Sequence, residues 1–225
     1  MANAIPSVRS ENRGSTSPRW VSEAYHLGDA ADESTAVNLV HEAIDGGVTF
    51  SITAGSIRGK SEVWLGRALS GRRNRVFLMT KVCTQGRDKG LNLRMLEESF
   101  RCPQTDHLDL WQIYGVSFEN DPELFIRPDG AAEALRQAKE QGTVRFVGFT
   151  GHKDPKIHLA MIATGSPFDS AQMPLNAFDA EFRSFEQHVL PEVNKRRMAA
   201  LGDEADLWSS VSKPRTGTWS CSRRR

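Results

Sequence analysis

The residue whose type and place most suggest chemistry is Lys81. It stands near the end of Arg75-Val76-Phe77-Leu78-Met79-Thr80-Lys81-Val82, a short and almost wholly apolar run. A strand apolar on both faces is buried on both faces, as in a parallel sheet covered by helices. An ammonium group at the far end of such a strand is unfavourable unless it is paired or used. In closed α/β barrels that end of the strands is the active-site face, which makes Lys81 the first candidate for chemistry. On this run alone, a lysine that snorkels to the rim accounts for the pattern equally well. The three cysteines, Cys83, Cys102 and Cys221, are odd in number and far apart, without metal-ligand spacing or a disulfide framework. Cys83 reads as a buried thiol, and a reducing, cytoplasmic setting fits the set.

The elements that must hold Lys81 come from the rest of the chain. Its 225 residues suffice for one α/β domain with a sizeable core. The formal net charge of +1 does not point to nucleic acid or to an anionic membrane surface. No apolar run is long enough to span a bilayer, and Met1 to Gly14 lacks a signal-peptide core. Residues 1–23 are polar and aperiodic and read as a disordered leader.

From Asp32 the pattern becomes periodic. Val37, Val40, Ala43 and Ile44 mark a helix that stops at Gly46-Gly47, and Val48-Thr49-Phe50 begins a strand. Ser61 is placed to cap a second helix carrying Leu65, Ala68 and Leu69. The Lys81 strand follows, then a helix with Leu93, Leu96 and Phe100. His107 to Tyr114 is the next strand. Gly115 to Asp129 reads as a long loop, and Ala131 to Gln141 as a helix ended by Gly142. Val144 to Phe149 is a strand, and Asp154-Pro155 opens a helix. Phe168 to Met173 is a strand, and Phe185 to Arg197 a helix that Pro191 kinks or splits. Met198 to Leu201 starts one more strand. Trp64 and Trp111 are assigned to packing between helices and strands. The alternation predicts a parallel sheet. An open doubly wound sheet and a (β/α)8 barrel both satisfy it, and the lack of an early Gly-x-Gly-x-x-Gly argues against a dinucleotide-binding Rossmann domain.

These pieces resemble the aldo-keto reductases, NADPH-dependent carbonyl reductases with a (β/α)8 TIM-barrel fold. The resemblance is carried by Gly59-Lys60-Ser61-Glu62 with Leu65-Gly66-Arg67-Ala68-Leu69, by Thr80-Lys81, by Thr105 to Ile113, by Gly142 to Thr150, and by Gln172 with Asn176. It covers Gly47 to Leu201. It implies a barrel truncated after about seven strands with its first strand disrupted, and a domain over residues 24–202. The cofactor it implies is NADPH and the substrate a small-molecule carbonyl, with no nucleic-acid or membrane partner. It leaves the oligomeric state unassigned. Thr150, His152, Gln172 and Asn176 are the implied cofactor-binding residues. For His152, the bland reading as a loop histidine stands beside that role.

The family's chemistry uses four side chains: a Tyr as general acid, a Lys beside it, an Asp paired with the Lys, and a His that holds the carbonyl. Here only Lys81 is retained. Ile52 lies near the Asp position, Ile57 near the Tyr position, and Tyr114 stands at the His position. Residues 203–225 read as an unstructured tail where the family continues its last strands, which carry much of its cofactor site. These departures share a feature. Back-translated with chosen synonymous codons, Arg9 to Glu23 read two bases later gives LGKPGEHVPALGLG. Ser51 to Ile57 read one base earlier gives FDNGWEY, with both the missing Asp and the missing Tyr. Asp203 to Trp208 read one base later gives MKPICG. The expectation is a frameshifted, impaired reductase. The alternatives are a non-catalytic nucleotide- or partner-binding barrel, or a product that does not fold stably.

Overall fold

The computed structural model describes residues 21–23, 25–48, 50–54, 59–83, 87–101, 105–175 and 181–203. The strands are β1 (Val21–Glu23), β2 (Phe50–Ala54), β3 (Phe77–Cys83), β4 (Leu108–Tyr114), β5 (Val144–Thr150), β6 (Ser170–Pro174) and β7 (Ala199–Asp203). The helices are α1 (Glu33–Asp45), α2 (Gly59–Leu69), α3 (Lys89–Arg101), α4 (Asp121–Ile126), α5 (Ala131–Glu140), α6 (Pro155–Ala163), α7 (Phe185–His188) and α8 (Leu190–Lys195).

Local chemistry sets most of the helix ends. The Asp32 carboxylate accepts from the Thr35 N–H at 2.8 Å and opens α1, while Asp154 accepts from the Lys156 N–H at 2.8 Å and opens α6. Gly47 takes a φ of +97° after α1, and Gly142 a φ of +72° after α5, a conformation in which a side chain would be strained. Pro191 lies in the first turn of α8, and the helical stretch it interrupts is split in two.

Three sequence readings change. Ser61 does not cap α2, which begins at Gly59. Its hydroxyl instead accepts from the Gly28 N–H at 2.9 Å. A Cβ at Gly28 would lie 2.6 Å from that oxygen, so the approach needs a glycine. The loop expected from Gly115 to Asp129 contains α4, which begins where the Asp121 carboxylate accepts backbone N–H groups of the preceding turn. The last three residues assigned to the leader form β1, while residues 1–20 and 204–225 lie outside the described residues.

All neighbouring strands pair in parallel, and the seven-stranded sheet runs in chain order from β1 to β7. That order selects between the two architectures the sequence permits. A doubly wound sheet reverses direction at a switch point, whereas a barrel adds each strand to the same edge. Alternate residues then face two different cores. Phe77, Met79 and Leu110 cluster with Phe146, Ala199 and Leu201 on one face of the sheet. Leu78, Val82, Trp111, Ile113, Val147 and Phe149 pack on the other, with Leu65, Leu96, Leu135 and Met161 of the helices. Each fully buried aliphatic or aromatic side chain contributes about 1.5–3 kcal/mol. The larger, helix-facing core therefore carries most of the stability. The inner face is free to change character toward its C-terminal rim, where apolar residues give way to polar ones.

Candidate active site

β3 and β4 place the central residues. Their register sets Met79 beside Leu110, Lys81 beside Gln112 and Cys83 beside Tyr114. Met79 and Lys81 are alternate residues of one strand, so Lys81 continues the inner row one layer above Met79. Its side chain is only 6% exposed, so this lysine is buried on the inner face. Its Nζ stands 5.9 Å from the centroid of the Tyr114 ring, near the outer limit for a favourable cation–π contact. Tyr114 is 40% exposed at the end of β4, which puts a phenol on the open rim next to a largely desolvated cation.

The next strands complete the layer. Gln112 pairs in register with Gly148, and Gly148 with Ser170. Across that glycine the Gln112 Nε2 donates to Ser170 Oγ at 3.2 Å. A Cβ on residue 148 would lie 2.1 Å from Ser170 Oγ, so the bond between β4 and β6 exists because β5 carries a glycine there. Above it, Thr150 pairs with Gln172. The Thr150 hydroxyl accepts from the Gly115 N–H at 3.0 Å, fixing the exit of β4 to that of β5. Both Thr150 and Gln172 are buried polar residues. His152, just beyond β5, is exposed.

Three groups outside the layer hold it. Arg87 and Asp121 form an ion pair, both side chains 5% exposed, with Arg87 Nη2 2.8 Å from Asp121 Oδ1. The other carboxylate oxygen accepts from the Ser117 and Phe118 N–H groups at 2.7 and 2.9 Å. The guanidinium reaches the Tyr114 and Gly115 carbonyls at 3.4 Å, so the pair ties the exit of β3 to that of β4. His158 on α6 is fully buried between the rings of Phe149 and Phe185. Its Nε2 donates to the Gln172 carbonyl at 3.1 Å, since a carbonyl can only accept. Burial lowers its pKa to about 4, against which the Gln172 bond pulls upward. At the opposite end of the barrel, Asp109 accepts from Arg73, Arg145 and the Leu78 N–H at 2.8, 2.9 and 2.9 Å. Burial pushes that carboxyl up, but these donors outweigh it and its pKa lies below the ordinary carboxylate value.

Of the sequence candidates, Lys81, Tyr114, Thr150 and Gln172 come together at one rim, and His152 stands at its edge. Ile52 lies in β2 beside Met79, and Ala54 is the β2 residue beside Lys81. β2 reads Phe50-Ser51-Ile52-Thr53-Ala54 and contains no acidic residue. Ile57 and Asn176 lie outside the described residues. Sequence reasoning passed over Gln112, Ser170, Arg87, Asp121 and His158. Gln112 carried a signal, since it interrupts an otherwise buried strand with an amide. Arg87 and Asp121 carried none, because their partnership spans two loops. Among the described residues no group of three or more His, Cys, Asp or Glu could hold a metal ion. Nor is any of their helices long and apolar enough to cross a membrane.

A parallel sheet in barrel order with a buried lysine at the C-terminal rim defines a (β/α)8-barrel protein with its polar site at the strand ends. The model of the Aldo/keto reductase family matches residues 23–198, and the chain belongs to that family. The aldo-keto reductase YhdN of Bacillus subtilis is 26% identical over 181 residues, 76% of this chain and 51% of that protein. The uncharacterized oxidoreductase YrpG of the same organism is 35% identical over 143 residues, covering 55% of this chain and 42% of that protein. An aldo-keto reductase of Klebsiella pneumoniae, solved in complex with NADPH, superposes with a TM-score of 0.67 at 24% identity, covering 81% of this chain and 62% of that one. The thermostable aldo-keto reductase Tm1743, solved with the inhibitor epalrestat, gives 0.69 at 24% identity, covering 85% and 69%. The structural likeness supports the fold. The chain spans about half the length of the curated relatives it matches.

Proposed function

We propose that this chain derives from an NADPH-dependent reductase of small carbonyl compounds and that its own catalysis of that reaction is strongly impaired. The observation that carries the reading is the surrounding of Lys81. It occupies the buried rim position of β3, yet β2 offers no carboxylate and the phenol nearest in register is Tyr114 on β4. The residues at the ends of β5 and β6 fit the cofactor's carboxamide. Thr150 and Gln172 are side by side and polar, and offer both donors and acceptors. These two residues would hold and orient a dihydronicotinamide, the group that would supply hydride to the carbonyl carbon, while Lys81 would place positive charge where the carbonyl oxygen gains negative charge. Tyr114 stands where the family places a His that orients the carbonyl, and β2 itself, Phe50–Ala54, carries no Asp or Tyr. Loss of a general acid lowers rates by about 10²–10⁴-fold.

The experiment is a pair of measurements on the purified chain, NADPH binding by fluorescence and NADPH-linked reduction of a simple aldehyde. Turnover at ordinary reductase rates would overturn the reading. Tight NADPH binding without turnover would favour a second one, a non-catalytic nucleotide-binding barrel, to which the retained Thr150–Gln172 pair lends support. We further propose that the departures at Arg9–Glu23, Ser51–Ile57 and Asp203–Trp208 arose by small insertions and deletions in the gene. Resequencing the locus tests this, and an uninterrupted reading frame across close relatives encoding these same residues would sink it.

A further inference from the structure

We infer, on the reading of Thr150 and Gln172 as the pair that holds the cofactor's carboxamide, that His158 is the positioning residue for Gln172. From the helix side of the sheet it fixes the Gln172 backbone, and with it the root of the side chain that faces the site.

Strand alternation sets the two faces. Gln172 stands beside Leu201 in register, and Leu201 packs in the inner core. Ser170, two residues earlier, bonds Gln112 across Gly148 in the inner layer. Ala171 and Met173 pack in the helix-facing core. The Gln172 side chain therefore belongs to the inner face, while its carbonyl lies in the plane of the sheet. That carbonyl oxygen accepts from two donors, the Gly151 N–H at 3.2 Å and His158 Nε2 at 3.1 Å. One comes from the exit of β5 and the other from α6, so β6 is held at this residue by two separate segments.

The pocket around His158 suits a donor more than it suits packing alone. The ring is fully buried, with ring centroids of Phe149 and Phe185 each 5.0 Å away, at interplanar angles of 54° and 82°. Close-packed rings at these angles leave the imidazole little room to turn. With Nε2 donating, Nδ1 is an acceptor, and it has no hydrogen-bond partner among the described residues. A buried acceptor in that condition is destabilising. An apolar side chain in the same pocket would avoid that loss. What the histidine adds is one donor, and that donor is engaged with Gln172. The β5 exit is shaped to admit the ring. A Cβ at Gly151 would lie 2.7 Å from His158 Cε1 and 2.5 Å from the Val116 carbonyl oxygen. The Val116 N–H in turn donates to the Thr150 carbonyl at 2.8 Å, so the same junction holds both members of the pair. A side chain whose backbone is fixed before binding loses less freedom when it meets a ligand.

The test compares His158→Leu and His158→Phe, which lack the donor, with His158→Gln, whose amide nitrogen can replace Nε2. The first readout is the Gln172 side-chain amide, followed by NMR in the full chain carrying isotope-labelled glutamine and no cofactor. In the wild type and in His158→Gln it should give one pair of resonances at its own shifts. In either donor-free variant it should broaden or move toward the shifts of a solvent-exposed glutamine. A histidine that serves packing alone would change the urea midpoint and leave these resonances in place, which overturns the proposal. The second readout is NADPH binding by fluorescence. The donor-free variants should bind about three- to tenfold more weakly than the wild type, and His158→Gln should recover most of that loss. If the wild type binds no NADPH, the cofactor reading fails, and the amide resonances still decide the role of His158. The third readout needs no variant and so stands even if every substitution prevents folding. The ring nitrogen shifts of His158 should be those of the Nε2–H tautomer, and an Nδ1–H ring would overturn the proposal.

Discussion

His158 links the stability of this chain to pH through a single side chain. It is fully buried, its Nε2 is engaged with the Gln172 carbonyl, and burial holds its pKa near 4 against an ordinary value of 6.5. Above pH 6.5 the ring is neutral in both the folded and unfolded chain and there is no penalty. As pH falls from 6.5 toward 4 the unfolded chain takes up the proton and the folded chain does not, so stability is lost through that window, by roughly 3 kcal/mol at its end. Urea midpoints at pH 7 and pH 4.5 measure the loss. The variant His158→Gln should show a distinctly smaller drop between the two, even if it starts lower. Gly148 offers a prediction of another kind. A methyl group there meets Ser170 Oγ at 2.1 Å and its carbonyl oxygen at 2.6 Å, so Gly148→Ala must push β5 from β6 or break the Gln112–Ser170 bond. A loss of about 1–3 kcal/mol is expected. An unchanged thermal midpoint would show that the inner layer yields more easily than its contacts indicate.

Elements are joined at the rim by polar fastenings more than by apolar ones. The segment between β4 and α5 begins at the Gly115 N–H bonded to Thr150, is braced by Asp121, and ends at Gly130. A Cβ at Gly130 would lie 2.5 Å from the Phe125 carbonyl oxygen and 2.7 Å from that of Arg127. Asp88 forms an antiparallel bridge to this glycine, and the Lys89 N–H donates to the Asp129 carbonyl at 2.8 Å. These contacts fasten Arg87–Lys89, at the start of α3, to the segment between β4 and α5, with the Arg87–Asp121 pair between them. Removing one member of such a pair leaves a buried charge without compensation, and Asp121→Ala should lower stability by about 3–5 kcal/mol. Replacing both, as in Arg87→Met with Asp121→Leu, should recover much of that loss. Hydrogen exchange of the Ser117 and Phe118 amides gives an independent check. Both should lose protection in Asp121→Ala, because their acceptor is gone, and retained protection would mean that the loop is held by something else.

At the scale of the whole molecule, the proposed loss of activity has a definite location. Lys81, Thr150 and Gln172 stand together at the strand ends. The stretch that departs from the family, Ser51 to Ile57, begins in the strand beside Lys81. If the chain is impaired as proposed and that stretch is the cause, restoring it should restore function. The repaired chain would carry FDNGWEY at residues 51–57, Tyr114→His, and the shifted frame from Asp203 onward. It is expected to reduce a simple aldehyde with NADPH at least about 10²-fold faster than the parent. In that background Lys81→Met should abolish the gain. A repaired chain that binds NADPH and folds cooperatively yet gains nothing would overturn the proposal that this stretch limits activity. In the parent, the apolar cores shared by consecutive strands and helices predict one cooperative thermal transition. A broad or multi-step melt would favour the reading in which the chain does not fold stably.

What the sequence by itself determined follows from short-range chemistry. Apolar runs and periods marked strands and helices from α1 to β7. Asp32 and Asp154 announced two helix starts, and Gly142 the turn after α5. The resemblance carried by Thr80-Lys81, Gly142 to Thr150 and Gln172 points to residues at the ends of β3, β5 and β6. The absence of an acid from Ser51 to Ile57 was equally plain, because it depends only on residue type. Ser61 was misread because a serine hydroxyl near a helix start can cap it or bond elsewhere, and the choice depends on Gly28, more than thirty residues away. Tertiary structure decided barrel order over an open sheet, since both give the same alternation and differ only in which edge receives the next strand. It also decided which buried polar groups meet. Gln112 and Ser170 are 58 residues apart, and Arg87 and Asp121 34 apart. No local pattern encodes such pairs, because their attraction exists only after the strands and loops between them have been packed and water has been removed.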